Sequence, residues 1–179
     1  ADDHDAERTQ AQMARFRAAI GDLPGERSLA NSAAVQGISA SHGDWVRPGG
    51  MLYGLSTFAG RTGRDLGLQP AMSLSTRLVS VRQLAAGEAV GYGATFACPQ
   101  PMRIGIAAVG YGDGYPRHAL GGTPVKIAGQ DAHVIGRVSM DLLAIDLSLA
   151  PAADVGSEVL LWGPELPVEQ VAEAAGTIG

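Results

Sequence analysis

The stretch MSLSTRL, residues 72–78, decides the fold class of this 179-residue chain. Its larger side chains alternate with small or charged ones, and this period of two predicts a β-strand with one buried face. Similar short apolar runs follow it, separated by turns that contain glycine or proline. They predict further strands at 102–109, 125–127, 133–135, 142–147 and 158–162, a hairpin turn at 128–130 and a last helix at 168–175. Many short strands joined in this way predict a closed or folded β domain.

The residues before this stretch have a different pattern. Apolar residues at helical spacing predict a helix over 6–20, and a short strand is expected at 27–29. Asn31 or Ser32 is a typical helix cap, and 47–50 reads RPGG, a turn. These residues predict β/α structure, and we expect so short a β/α segment to be part of a longer chain.

Composition excludes several classes of protein. The net charge of −5 argues against nucleic-acid binding, and no run of 18 apolar residues predicts a membrane span. Cys98 is the only cysteine, so no internal disulfide is possible and a reducing compartment is expected. The four histidines have no metal-ligand spacing, so no metal site is predicted. Lys126 is the only lysine among the 13 basic residues.

Two loops in the first part of the chain could hold an anion beside a planar group. Asn31-Ser32 and Gly49-Gly50 offer a hydroxyl, an amide and exposed backbone N–H groups, which together can cradle a phosphate. The alternative is an ordinary capped helix and a turn. Arg47 either faces a planar ligand or forms a salt bridge at the surface.

The stretch GEAVGYGATF, residues 87–96, encloses one tyrosine between two glycines. We expect extended backbone from Ala89 to Tyr92, although glycine weakens a strand. Either the backbone bends at Gly91 and Gly93, or some other group needs room close to Tyr92.

Two later stretches are unusually polar for turns. GYGDGYPR, residues 110–117, contains Tyr111 and Arg117 but does not match the dinucleotide-binding glycine pattern. GRVSMDLLAIDL, residues 136–147, places Met140 and Asp141 where a turn enters a strand. For residues 110–117 the alternative is a plain glycine-rich turn between strands. For residues 136–147 it is a buried methionine next to a turn aspartate.

Five stretches together resemble, in order and spacing, the C-terminal half of alanine racemase, an enzyme that uses pyridoxal phosphate (PLP). They read RSLANSAAV, DWVRPGGMLYG, SLSTRLVSVRQLAAGEAVGYGATF, AVGYGDGYPR and GRVSMDL. The resemblance covers nearly the whole chain. It implies a homodimer whose subunits have an N-terminal TIM-type (β/α)8 barrel followed by a mostly β domain. Residues 1–62 would then be the last β/α elements of the barrel and 63–179 the C-terminal β domain, so the chain would be mainly β.

The resemblance implies a cofactor site in the first part of the chain. Ser32 would bind the PLP phosphate, with Asn31 and the backbone N–H groups of Gly49 and Gly50, although the family usually has a branched apolar residue at the position of Gly50. Arg47 would donate to the pyridine nitrogen. Because arginine stays protonated, it cannot give the ring a proton, and the poorer electron sink would limit side reactions.

The resemblance also implies a catalytic role for Tyr92. Racemisation removes a proton from one face of the alanine α-carbon and returns one to the other, so two groups face each other across the cofactor. In the family these are a lysine and this tyrosine, which reaches into the partner's site. A tyrosine is ordinarily protonated at neutral pH, so a neighbour must activate it. Gly91 and Gly93 would let its ring approach the cofactor.

The substrate contacts implied by the family fall on the two polar stretches. Met140 would present its backbone N–H to the substrate carboxylate with Asp141 nearby, and Tyr111 and Arg117 would line the access corridor. The Schiff-base lysine of the family belongs to a region that this sequence does not include, and Lys126 matches no catalytic motif. The chain alone is therefore expected to be inactive.

The expected function is that of a bacterial, cytoplasmic isomerase that interconverts L- and D-alanine, for peptidoglycan synthesis or for alanine catabolism. Two alternatives remain at this point. One is a β-domain binding or dimerisation module without activity. The other is a racemase of the same fold with broader substrates, such as serine.

Overall fold

A computed structural model of the chain describes residues 6–177. The chain divides into two compact units, Ala1–Ala71 and Met72–Gly179. Six strands of the second unit form a closed barrel, so the prediction of a mainly β chain with a barrel-like β domain is confirmed.

The first unit is built from β/α elements. Helix α1 (Ala6–Ile20) has the predicted bounds and buries Met13. Strand β1 (Ser28–Asn31) leads into α2 (Ser32–Gly37), and β2 (Trp45–Arg47) then pairs with β1 in parallel. Parallel neighbours need a crossover connection, which α2 and the loop after it supply. The predicted β/α character of this part of the chain is therefore observed.

Residues 63–71 fold back on the first unit. The N–H of Ala71 donates to the carbonyl of Tyr53 at 3.2 Å, and Leu68 N–H donates to the carbonyl of Gly63 at 2.9 Å. The compact unit therefore ends later than residue 62, because the chain returns to Tyr53 before it leaves the unit. The assignment of 1–62 and 63–179 to two family domains stays a prediction.

As far as residue 177, the second unit contains eight antiparallel strands and one α-helix. Its elements are β3 (Leu74–Leu84), β4 (Ala89–Val90), β5 (Phe96–Ala97), β6 (Met102–Ala107), β7 (Pro124–Ile127), β8 (Gln130–Ile135), β9 (Leu143–Asp146), β10 (Glu158–Trp162) and α3 (Val168–Ala174). The barrel order is β10-β3-β6-β9-β8-β7, and β10 closes it by pairing with both β3 and β7. Strands β4 and β5 form a separate two-stranded ribbon.

The barrel core follows the period of two that the sequence predicts. In β7, Val125 and Ile127 are fully buried, whereas the side chain of Lys126 is directed outwards to Asp131. In β8, Val134 is likewise buried. Burying a Val or Ile side chain contributes about 1.5–3 kcal/mol relative to leaving it exposed, so this inner face is a main source of favourable packing in the barrel.

Candidate functional site

The parallel pair β1–β2 brings three predicted site residues to one edge of the first unit. Asn31 at the end of β1 is the register partner of Arg47 at the end of β2, and Ser32 follows Asn31 directly. The carboxyl ends of neighbouring parallel strands are where α/β folds commonly place ligands, because the loops after the strands converge there.

Ser32 is buried, with 9% of its surface exposed, and its hydroxyl is held in place. Its Oγ accepts a hydrogen bond from the N–H of Met51 at 3.3 Å. A hydroxyl that accepts from the backbone still has its own proton to donate to an anion. Asn31 caps α2, because its Oδ1 accepts from the N–H of Ala34 at 3.1 Å. The capped helix expected as an alternative is therefore present, next to a hydroxyl able to donate to a ligand.

The Gly49-Gly50 turn differs in part from what the resemblance implies. The N–H of Gly49 donates to the carbonyl of Arg47 at 3.0 Å, because the chain turns tightly after Pro48. That N–H group therefore contributes to the turn. A Cβ at Gly49 would meet no atom within 4 Å, so a ligand can approach the backbone. A Cβ at Gly50 would make ordinary contact with Leu55 at 3.7 Å, so a side chain could begin there without a clash.

Arg47 is held by neutral oxygens of β1. Its Nη1 donates to the carbonyl and to the hydroxyl of Ser28 at 3.0 and 2.7 Å, and its Nη2 donates to the carbonyl of Leu29 at 3.4 Å. These contacts replace the surface salt bridge that the sequence left as an alternative. The residues of this edge fit PLP, since a fixed guanidinium, a buried hydroxyl and an open glycine turn match its ring nitrogen and phosphate.

Tyr92 lies in the second unit, at the turn between β4 and β5, with 69% of its surface exposed. The extended backbone expected as far as Tyr92 ends at Val90. The backbone bends there because Gly91 and Gly93 have φ angles of +78° and +72°, which favour glycine. A Cβ at Gly91 would lie 3.4 Å from the backbone nitrogen of Arg137, so the turn rests on the stretch that leads to Met140.

The other predicted substrate residues lie on two loops joined by their backbones. Tyr111 N–H donates to the carbonyl of Ser139 at 3.1 Å, and Gly112 N–H donates to the carbonyl of Met140 at 2.8 Å. A Cβ at Gly110 would lie 2.3 Å from the Met140 oxygen, so the close approach requires glycine. Met140 is 55% exposed, which contradicts the alternative of a buried methionine.

Two of these side chains also interact directly. The guanidinium of Arg117 lies over the ring of Tyr111, 5.1 Å from its centroid, as a cation–π pair. A Cβ at Gly112 would lie 3.4 Å from Oδ1 of Asp141, which places that carboxylate beside the same loop. The second unit thus brings Tyr111, Arg117, Met140 and Asp141 together.

Lys126 belongs to neither group. It lies on the barrel wall and donates to Asp131 at 2.7 Å, which holds the pKa of that carboxyl below its usual range. Within residues 6–177, no helix is both long and apolar enough to cross a membrane. No three His, Cys, Asp or Glu side chains of that range converge on a point suited to a metal ion.

Three features of the site were missed by sequence reasoning. They are the hydrogen bond from the N–H of Met51 to Ser32, the hydrogen bond from Arg47 to the hydroxyl of Ser28, and the close approach of the Arg137 backbone to the turn that carries Tyr92. The first two are contacts across a loop connection and a strand pair, which periodicity does not predict. Only the glycines on either side of Tyr92 signalled the third.

The order observed in this chain, β/α elements followed by a closed six-stranded β barrel, is the order that the sequence resemblance implies. Family models agree: "Alanine racemase, N-terminal domain" matches residues 1–57 and "Alanine racemase, C-terminal domain" matches residues 71–179. The chain belongs to the alanine racemase family.

Individual relatives show the same. The alanine racemase of Halorhodospira halophila is 54% identical over 99% of this chain and 49% of its own length. The crystal structure of the biosynthetic alanine racemase of Pseudomonas aeruginosa matches with a TM-score of 0.91 and 53% identity, over 95% of this chain and 48% of that one. The Bartonella henselae enzyme, described with covalently bound pyridoxal phosphate, matches with a TM-score of 0.85 and 29% identity, over 99% and 49%. The chain spans about half the length of these relatives.

Proposed function

We propose that this chain supplies the phosphate-binding and tyrosine parts of a PLP-dependent alanine racemase that interconverts L- and D-alanine. The observation that carries the proposal is Tyr92, which is presented to solvent by a glycine turn that lies against the backbone of Arg137. Family membership supports alanine as the substrate.

The first unit would bind the cofactor through two side chains. Ser32 would donate a hydrogen bond to the phosphate and Arg47 would donate one N–H to the pyridine nitrogen, while Asn31 keeps the start of α2 in place. Bound PLP would supply the electron sink that makes the α-proton of alanine acidic. An arginine at the ring nitrogen keeps that sink moderate, because it cannot transfer a proton to the ring.

The second unit would act on the substrate. Tyr92 holds or takes the proton on one face of the α-carbon, and a lysine from outside this sequence serves the other face. The N–H of Met140 binds the substrate carboxylate next to Asp141, and Tyr111 with Arg117 forms the access corridor. In the proposed homodimer, Tyr92 of one subunit serves the cofactor of its partner.

The proposed setting is the bacterial cytoplasm, with D-alanine for peptidoglycan as the proposed product. The single buried cysteine, Cys98, supports a reducing compartment, because the chain needs no disulfide for its fold.

Replacing Tyr92 with phenylalanine in a full-length racemase that carries this sequence tests the proposal. We expect the racemisation rate to fall roughly 10²–10⁴-fold with PLP content unchanged, because the ring stays and only the acid/base group is lost. Exchange of the α-hydrogen with solvent should persist for one enantiomer, which the remaining lysine faces. The matched control is Tyr115→Phe in the barrel core, which should keep full activity. Equal loss of exchange for both enantiomers would contradict the role of Tyr92.

A further inference from the structure

The hydroxyl of Ser28, at the start of β1, contacts the guanidinium of Arg47 on the neighbouring strand. We propose that Ser28 is a positioning residue, which fixes the orientation of Arg47 and leaves its full charge directed at the cofactor ring. The proposal rests on the proposed function, since it gives Arg47 a ligand.

The hydrogen bonds of Arg47 leave part of its guanidinium available. Its three contacts with Ser28 and Leu29 use three of the five N–H groups that a guanidinium has. The remaining two N–H groups can face a ring nitrogen. Because the planar guanidinium moves as one body, fixing one side of it also fixes the direction of the other.

Only one of the three acceptors depends on the identity of a side chain. The carbonyls of Ser28 and Leu29 belong to the backbone and would be present with any residue at these positions. They accept from Arg47 where the pairing register of β1 and β2 shifts, between Ser28 and Ala30. The hydroxyl of Ser28 makes the shortest contact, 2.7 Å from Nη1. A change at Ser28 therefore removes or alters this contact alone.

The hydrogen-bond partners of Arg47 are all uncharged, and the acidic side chains just before β1 and β2 in the sequence bind other groups. Glu26 accepts from the indole N–H of Trp45, and Asp44 accepts from the backbone N–H of Arg27 at 2.8 Å. A carboxylate on the guanidinium would offset much of its positive charge. With hydroxyl and carbonyl partners, Arg47 keeps that charge and so disfavours a second positive charge on the ring nitrogen.

The first experiment measures how firmly the guanidinium of Arg47 is held in this chain, without cofactor. NMR of ¹⁵N-labelled arginine side chains reports how fast the guanidinium rotates. We expect slow rotation for Arg47 in the wild type and in Ser28→Thr, and rotation about fivefold faster in Ser28→Ala, since one hydrogen bond is lost. Ser39→Ala, at an exposed serine of the same unit, is the matched control and should change nothing. Unchanged rotation in folded Ser28→Ala overturns the proposal.

The second experiment uses the PLP-loaded full-length enzyme and measures the ratio of transamination to racemisation. Ser28→Asp places a carboxylate on Arg47, so this ratio should rise at least several-fold, while Ser28→Thr should keep the wild-type ratio. PLP affinity, followed by fluorescence, should fall in Ser28→Ala by about the same factor as the rotation changes. If the ratio of transamination to racemisation is unchanged in PLP-loaded Ser28→Asp, the proposal is overturned. If Ser28→Asp does not fold, the rotation rate of the Arg47 guanidinium in Ser28→Ala decides.

Arg47→Lys separates this proposal from the proposed function. If Arg47→Lys changes PLP affinity and the side-reaction ratio but the Ser28 variants do not, the role of Ser28 fails and that of Arg47 stands. If Arg47→Lys changes neither in a folded enzyme, Arg47 does not face the ring and its assignment in the cofactor site fails as well.

Discussion

Tyr115 is buried in the barrel core, where its ring stacks on Trp162 with the centroids 6.0 Å apart. Neither the Tyr115 hydroxyl nor the Trp162 indole N–H has a hydrogen-bond partner in the part of the chain that the structure describes. Burial raises the pKa of Tyr115 to about 12. An unfolded tyrosine ionises near 10, so the folded chain holds this proton more tightly than the unfolded chain.

This difference predicts how Tyr115→Phe changes stability with pH. Between about pH 10 and 12 the unfolded chain loses the proton and the folded chain keeps it, so wild-type stability falls by about 1.4 kcal/mol per pH unit. Below pH 10 the phenol is protonated in both states, and the loss of an unpaired hydroxyl should cost less than about 1 kcal/mol. Urea unfolding at pH 7 and pH 11 measures both effects. Tyr115→Phe should lack this contribution to the slope, because phenylalanine has no proton to lose. A variant with the wild-type slope would show that the pKa of Tyr115 does not differ between the folded and the unfolded chain.

At the scale of single residues, the sequence indicated which groups could carry chemistry but not what holds them. The glycines beside Tyr92 did mark a bend, and the positive φ angles explain it. Gly49 looked like a free N–H donor, but that group closes the turn after Arg47. Such differences come from hydrogen bonds between distant positions, which a single sequence does not reveal.

The hairpin between β7 and β8 has an alanine at a position whose backbone conformation favours asparagine or glycine. Ala128 and Gly129 connect the strands with φ angles of +47° and +81°. Positive φ at both positions is typical of a type I′ turn, which favours asparagine followed by glycine. Alanine in the left-handed region costs about 1–2 kcal/mol, so the turn contains local strain.

Replacing Ala128 with asparagine should therefore stabilise the second unit by about 1 kcal/mol, because asparagine tolerates the left-handed region. Thermal or urea unfolding of the chain measures the change. Ala152→Asn, at an exposed alanine outside the turn, should have little effect and serves as the control. Equal effects of the two substitutions would show that Ala128 is not strained.

The sequence predicts an element well when the pattern of that one segment determines it. The ends of a strand are predicted less well when pairing with a neighbouring strand determines them. Helix α1 and strand β10 have their predicted bounds, since their apolar patterns end sharply. Strand β3 continues to Leu84, beyond the predicted 78, because its far end pairs with β6 through Leu84 and Met102. Partner strands extend an element past the point where its own pattern stops.

For the whole molecule, the position of Lys126 predicts that the chain alone does not racemise alanine. A lysine must carry the cofactor in the proposed mechanism, and Lys126 lies on the barrel wall in an ion pair with Asp131. With PLP and L-alanine, the purified chain should form D-alanine no faster than free PLP does. The Halorhodospira halophila racemase is the positive control. Faster turnover by the chain, lost in Lys126→Arg, would assign Lys126 a catalytic role.

The closure of the barrel by β10 also determines when the second unit can become stable during folding. Leu160 pairs with Ser75 of β3 on one side and with Lys126 of β7 on the other, so the last strand joins segments from the start and the middle of the unit. Bringing such distant segments together costs loop-closure entropy before the contacts form, and folds with many non-local contacts form slowly. Until β10 docks, Val159 and Leu161 stay in water and β3 lacks a partner on one side. On the ribosome, the barrel therefore cannot form before nearly all of this sequence has been synthesised.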